Sequence, residues 1–190
     1  MRRISAAVAA LVLAGAGLGA AATSAAAAPA KAAAACPTGW GSGDKGTVGS
    51  SIIPLTNVRA GQHECYDRLV FDVPGGGNAI DHIVGYVDEF HQLASGKQIP
   101  VAGGAILEVR VAAPSYDPHG GGVVYPAQAG QPLPGVDVSG YTTFRDTRFG
   151  ASFEGETQIG LGVRARLPFR VIQLPDRLVV DVAHSWTSTG

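Results

Sequence analysis

Two stretches of this chain are near copies of each other. Tyr66–Val73 reads YDRLVFDV and Pro175–Val182 reads PDRLVVDV, with six of eight positions identical. In the first, Leu69, Phe71 and Val73 alternate with Arg68, Val70 and Asp72. A period of two with β-branched and aromatic residues is the signature of a half-buried strand. Two strands of one sheet system can share such a pattern without further meaning. Here each copy also opens on Asp-Arg and carries a second Asp four residues after the Arg (Asp72, Asp181). Arg–Asp pairing across strands on the polar face accounts for that, and is structural rather than catalytic.

The rest of the chain reads as β from Ile52 onward. Ala105–Val111, Thr157–Arg166, Phe169–Leu174 and Arg177–His184 are further strands. Ile80–Phe90 alternates less cleanly, with Gly85 placed for a bulge. Pro74–Gly77, Gly103–Gly104, Leu167–Pro168 and Leu174–Asp176 are turns. No long apolar period of 3.6 occurs, although 141–152 has room for a short helix. Ala112–Val136 holds five Pro and five Gly in 25 residues, the composition of a long loop that is either functional or mobile. Residues 36–50, CPTGWGSGDKGTVGS, read as irregular, with Trp40 able to pin them to a core.

The N-terminus reads as an address. Arg2 and Arg3 precede an uncharged run from Ile4 to Ala22, and Ala25–Ala27 fit an A-x-A cleavage signal. Cleavage after Ala27 is expected, with Ala30 the competing site. A lipid anchor would need a cysteine directly after the apolar run, and Cys36 comes too late. The expected product is therefore soluble and has no membrane anchor after cleavage. Removing 27 of 190 residues leaves 163, enough for one domain with a core. The signal holds two of the 14 basic residues and none of the 15 acidic ones, which leaves 12 against 15 and a net charge of −3. That balance argues against nucleic acid as a partner and against anionic membrane surfaces. The two cysteines, Cys36 and Cys65, lie in the mature part. An oxidising compartment favours a bridge between them over two free thiols.

Trp40-Gly-Ser, LTNVRAGQHECYDRLVFDV (Leu55–Val73), GGAILEVRV (Gly103–Val111), FEGETQIGLGVR (Phe153–Arg164) and PFRVIQLPDRLVVDVAH (Pro168–His184) together carry a family resemblance. They resemble the AMIN-like domain of secreted proteins and lipoproteins from high-GC bacteria. That family is similar to the AMIN domain, a non-catalytic module that places cell-wall amidases and secretin proteins in the envelope. The resemblance spans residues 38–184. It implies a β-sandwich, an envelope or peptidoglycan association and no catalytic residues. No amidase sequence follows Gly190, so the expectation is the module alone.

Catalytic and metal signals are sparse. His119–Gly122 reads HGGG like an oxyanion loop, but no G-x-S-x-G elbow accompanies it. Among the five histidines, Asp81-His82 and Asp88-Glu89-Phe90-His91 place acids beside imidazoles without compact ligand spacing. Cys36 and Cys65 lack C-x-x-C spacing. Glu154 and Glu156 form a carboxylate pair of the kind glycosidases use, able to face one side. Arg164, Arg166 and Arg170 fall within seven positions, the first two expected on one face of a strand. Guanidinium groups there suit the carboxylates of wall stem peptides or the phosphates of wall polymers. Tyr66, Tyr86, Tyr141 and Trp40 are candidate stacking surfaces.

The sequence thus predicts a single antiparallel β-sandwich with a disulfide-tethered N-terminal segment. The boundaries are a signal peptide at 1–27, an Ala/Pro linker at 28–37, the β domain at 38–184 and a tail at 185–190. The expected role is an exported, non-catalytic domain binding peptidoglycan, another wall polymer or an envelope protein, with Arg164, Arg166, Arg170 and Tyr66 as binding residues. It needs no cofactor and no metal. The alternatives are a peptidoglycan hydrolase using Glu154 and Glu156, and a partner-binding or inhibitor module using loop 112–136.

Overall fold

The computed structural model describes residues 36, 39–47 and 49–186. The signal expected at 1–27, most of the linker and the end of the tail lie outside the described residues. Nine strands follow in chain order: β1 (Lys45–Thr47), β2 (Asn57–Gln62), β3 (Tyr66–Asp72), β4 (His82–Val87), β5 (Ala105–Val111), β6 (Phe144–Phe153), β7 (Glu156–Val163), β8 (Phe169–Leu174) and β9 (Arg177–Ala183). They form a five-stranded sheet, β1-β4-β5-β7-β6, and a four-stranded sheet, β2-β3-β9-β8. Every pairing is antiparallel, and no helix occurs among the described residues.

The alternation read from the sequence sets the sandwich. Leu69, Phe71, Leu178, Val180 and Val182 of the four-stranded sheet meet Val84, Leu107, Val109, Ile159 and Leu161 of the five-stranded one in a single buried cluster. Each such side chain, fully removed from water, contributes roughly 1.5–3 kcal/mol before conformational entropy is counted. Arg68, Val70 and Asp72 turn to the outer face, as the period of two requires.

Three local readings are corrected. Residues 141–152 hold no helix: β6 takes up 144–152 of them, with register shifts at Phe144/Asp146 and Phe149/Ala151. Each shift inserts an extra residue, so the apolar positions lose strict alternation. Gly85 makes no bulge, since β4 pairs with β5 without interruption. A side chain there would collide with Asp44, whose Oδ1 lies 2.5 Å from where a Cβ would sit. The segment 36–50 is not wholly irregular, because Lys45–Thr47 adds to the free edge of β4. Just before it, the Gly41 carbonyl accepts from the Phe169 N–H on β8. One strap therefore covers an edge of each sheet, which blunts their tendency to pair with other chains. The Cys36–Cys65 disulfide, with Cα atoms 5.3 Å apart, ties this strap to the start of β3.

Strand β7 is buried at all eight positions. Its inner residues face the core, and its outer face lies beneath the 88–104 connection. A Cβ on Gly160 would come within 2.8 Å of the Phe90 ring, and one on Gly162 within 1.9 Å of the Ala102 carbonyl oxygen. The glycines of IGLGV admit that backbone. Gly162→Ala is expected to cost about 1–3 kcal/mol by overpacking, read as a lower urea midpoint with an unchanged slope.

Candidate functional site

The repeated DRLV strands are neighbours. β3 and β9 pair so that Val70 faces Val179, Arg68 faces Asp181 and Asp72 faces Arg177. The two copies are thus related by a local two-fold axis through the Val70–Val179 pair. Arg68 grips Asp181 with Nε at 2.6 Å and Nη2 at 2.9 Å. Arg177 Nε lies 3.3 Å from Asp72. The outer strands extend the symmetry: Arg170 of β8 donates to Asp181 at 2.8 Å, and Asn57 of β2, its counterpart, donates to Asp72 at 3.2 Å. Arg59 adds two more bonds to Asp72. The opening Asp of each copy also does one job twice. Asp67 accepts the N–H groups of Thr143 and Phe144 at 2.5 and 3.0 Å, and Asp176 accepts those of Gly75 and Gly77 at 3.2 and 2.8 Å. Asp67 is fully buried and also lies 3.0 Å from His184 Nε2.

The two halves differ in what covers them. Over Asp181 the strap lays Trp40, whose ring stands 4.3 Å from the Arg170 guanidinium carbon. Tyr66 lies edge-on to Trp40 at 5.8 Å and within 5.2 Å of both Arg68 and Arg170. His63 stacks on Tyr66 at 4.5 Å. The Asp181 side chain is fully enclosed, whereas that of Asp72 is 21% exposed. The hydrogen bonds from Arg68 to Asp181 hold its guanidinium above its ordinary pKa, against the opposing pull of burial. Two guanidiniums share one carboxylate here, which leaves an excess positive charge framed by aromatic rings. Among the described residues only the Nε of Arg170 donates to a side chain, so its terminal nitrogens stay open to a ligand.

A family model for the AMIN-like domain matches residues 53–184. The chain belongs to the AMIN-like domain family. No curated protein and no solved structure matches it significantly. Membership supports an envelope-associated, non-catalytic module. The matched residues include both DRLV strands and their Arg–Asp network. Cys36, Trp40 and β1 precede them, so part of the aromatic cover is contributed from outside the matched AMIN-like stretch.

Of the four binding residues read from the AMIN-like sequence, Tyr66 and Arg170 come together in this patch. Arg164 and Arg166 do not join them. β7 ends at Val163, so neither lies on a strand and they share no strand face. Arg164 donates to the His184 carbonyl, and Arg166 lies 5.1 Å over the Tyr86 ring. Burial raises the pKa of Tyr86, whose hydroxyl donates to the Leu167 carbonyl at 2.8 Å. The strap lysine, Lys45, lies 4.2 Å over Phe169, and desolvation there lowers its pKa. Tyr141 stacks on Phe144. His82 is engaged by its own strand end and by Gln173. His91 sits 3.5 Å from Glu89. His119 and its glycines form a tight turn closed on Asp117. The sequence marked Trp40 as a candidate stacking surface and Arg68 as a structural partner of an Asp, without joining either to Tyr66 or Arg170. Only the disulfide and the antiparallel register bring them to Tyr66 and Arg170.

Proposed function

We propose that this AMIN-like domain is exported and released, and binds peptidoglycan without catalysing a reaction on it. The observation that carries the reading is the open end of Arg170, held by Asp181 and framed by Trp40 and Tyr66. A guanidinium so oriented suits the carboxylates of stem peptides, or the phosphates of other wall polymers, through paired charge-assisted hydrogen bonds. The aromatic frame lowers the local dielectric, which strengthens such a contact. The non-catalytic part of the reading is supported by Glu156, whose Oε2 is held by Arg110 Nε and Nη2 at 2.9 and 2.6 Å.

The mature chain is expected to co-sediment with purified peptidoglycan at low salt. Arg170→Gln should weaken retention by about ten- to a hundredfold, the loss of one or two charge-assisted bonds. A chain that stays in the supernatant at low salt overturns the reading.

A further inference from the structure

At the other end of β6, far along the strand from the Asp67 contact at its start, the β6–β7 hairpin turns through Glu154 and Gly155. Both have positive φ, 49° and 83°. This two-residue turn favours Asn, Asp or Gly at its first position. Glutamate there is strained. Among the described residues only three non-glycine residues have positive φ: Ala94, Glu154 and Asp176. Asp176 is accounted for, because its carboxylate caps the Gly75–Gly77 turn. The other two, Ala94 and Glu154, line the same cleft of about 490 Å³, together with Phe153, Leu93, Arg110 and Glu156. Backbone strain that the surrounding structure maintains is characteristic of functional sites.

A second cleft of about 550 Å³ adjoins the first and shares Ser50 and Glu154 with it. Tyr116, Pro118 and Ile52 line that second part. The two clefts meet at Ser50 and Glu154 on the hairpin tip and are taken together as one groove, Phe153 lining its first part and Tyr116 its second. Its walls are fixed. Ser51 N–H donates to the Gly155 carbonyl at 3.2 Å, and Gln158 bonds Leu93 N–H and the His91 carbonyl at 2.9 and 2.8 Å. Phe153 is 48% exposed and Ile52 61%, although both are large apolar side chains.

The chemistry of the lining selects a ligand class. Arg110 and Glu156 neutralise each other. Glu154 has no hydrogen-bond partner among the described residues, so the groove carries one free carboxylate at its middle. A carboxylate is acceptor only. It disfavours an anionic ligand and suits paired hydroxyl or amide N–H donors. Aromatic rings in its two parts suit flat, apolar C–H faces. An elongated ligand that alternates apolar faces with hydroxyl and amide donors is a chain of N-acetylated pyranose sugars.

We infer that this groove binds the uncharged glycan backbone of a polysaccharide, with Phe153 and Tyr116 as stacking platforms and Glu154 as the central acceptor. The inference deepens the peptidoglycan reading and rests on it for the natural ligand, while the site is distinct from the Arg170 patch.

The test is calorimetric titration of the mature chain with a β-1,4-linked N-acetylglucosamine hexamer. The hexamer should bind, and Phe153→Ala or Tyr116→Ala should weaken it at least tenfold. Glu154→Asn should weaken binding similarly yet raise Tm by roughly 2–4 °C, because Asn relieves the strained turn. That opposite movement separates a ligand-binding role from a merely structural one. Absence of hexamer binding, or binding indifferent to Phe153→Ala and Glu154→Asn, overturns the inference. Sedimentation with whole peptidoglycan but no hexamer binding would leave the envelope reading standing and remove the groove. Hexamer binding without sedimentation would do the reverse.

Discussion

Asp181→Ala is expected to destabilise the fold by about 3 kcal/mol or more, and Asp72→Ala by about 1 kcal/mol or less. The two residues occupy equivalent places in nearly identical sequences, Arg-Leu-Val-Phe-Asp and Arg-Leu-Val-Val-Asp. Their surroundings differ. Asp181 is enclosed, and both its partners, Arg68 and Arg170, lie partly buried under Tyr66 and Trp40. Removing it leaves two guanidiniums without a counter-charge where water re-enters poorly. Asp72 is partly exposed, and its partners Arg59 and Arg177 are about half exposed, so water replaces it at small cost. Urea unfolding of both variants measures the difference. Asp181→Ala should also release Arg170 and lower retention on peptidoglycan. Equal losses of stability would show that the strap adds nothing to the network.

Removing the disulfide should cost about 3–4 kcal/mol, the chain-entropy value for a closed loop of about 30 residues. The loss should not be uniform. Cys36–Cys65 holds the strap, and the strap carries Trp40, the Gly41 contact to β8 and all of β1. A strand of three residues paired on one side only has little stability of its own. In Cys36→Ser/Cys65→Ser, the strap is therefore expected to detach before the sandwich unfolds. Trp186 is half exposed and supplies a background signal, so the measurement uses Trp186→Phe. Trp40 emission should shift to the red at a lower urea concentration than the loss of β-sheet circular dichroism. The disulfide-intact protein should show one coincident transition. Coincidence in both would mean that β1 and the core bury the strap without help from the bridge.

The legible parts of this fold are those that follow from nearest neighbours. The inner and outer faces of β3 and β9 follow from alternation, because successive side chains of a strand point to opposite faces. The Cys36–Cys65 pairing followed from composition and compartment. β6 was less legible, since its two bulges break the very alternation by which a strand is recognised. The glycines of β7 look like weak strand residues in isolation. Their reason appears only once Phe90 and Ala102 are seen packed against them.

The candidate binding residues divide in the same way. Tyr66 and Arg170 share an outer sheet face, which residue type and strand position already indicated. Arg164 and Arg166 were misplaced because β7 ends at Val163, and the chain bends through 164–166 before β8 begins. Glu154 and Glu156 looked like a pair, yet one is clamped by Arg110 and the other sits in a strained turn.

By itself, then, the sequence determined the all-β class, the faces of its strands, the disulfide and the presence of two Arg–Asp copies. Each of these depends on local periodicity or on pairing rules that hold in any β protein. Only the tertiary structure decided that the copies face each other across a two-fold axis, that the strap encloses one carboxylate and leaves the other in water, and that a strained glutamate lies in a groove lined by two aromatic rings. Those features depend on residues distant in the chain, whose approach is fixed by the packing of two sheets and by nothing in their own neighbourhoods.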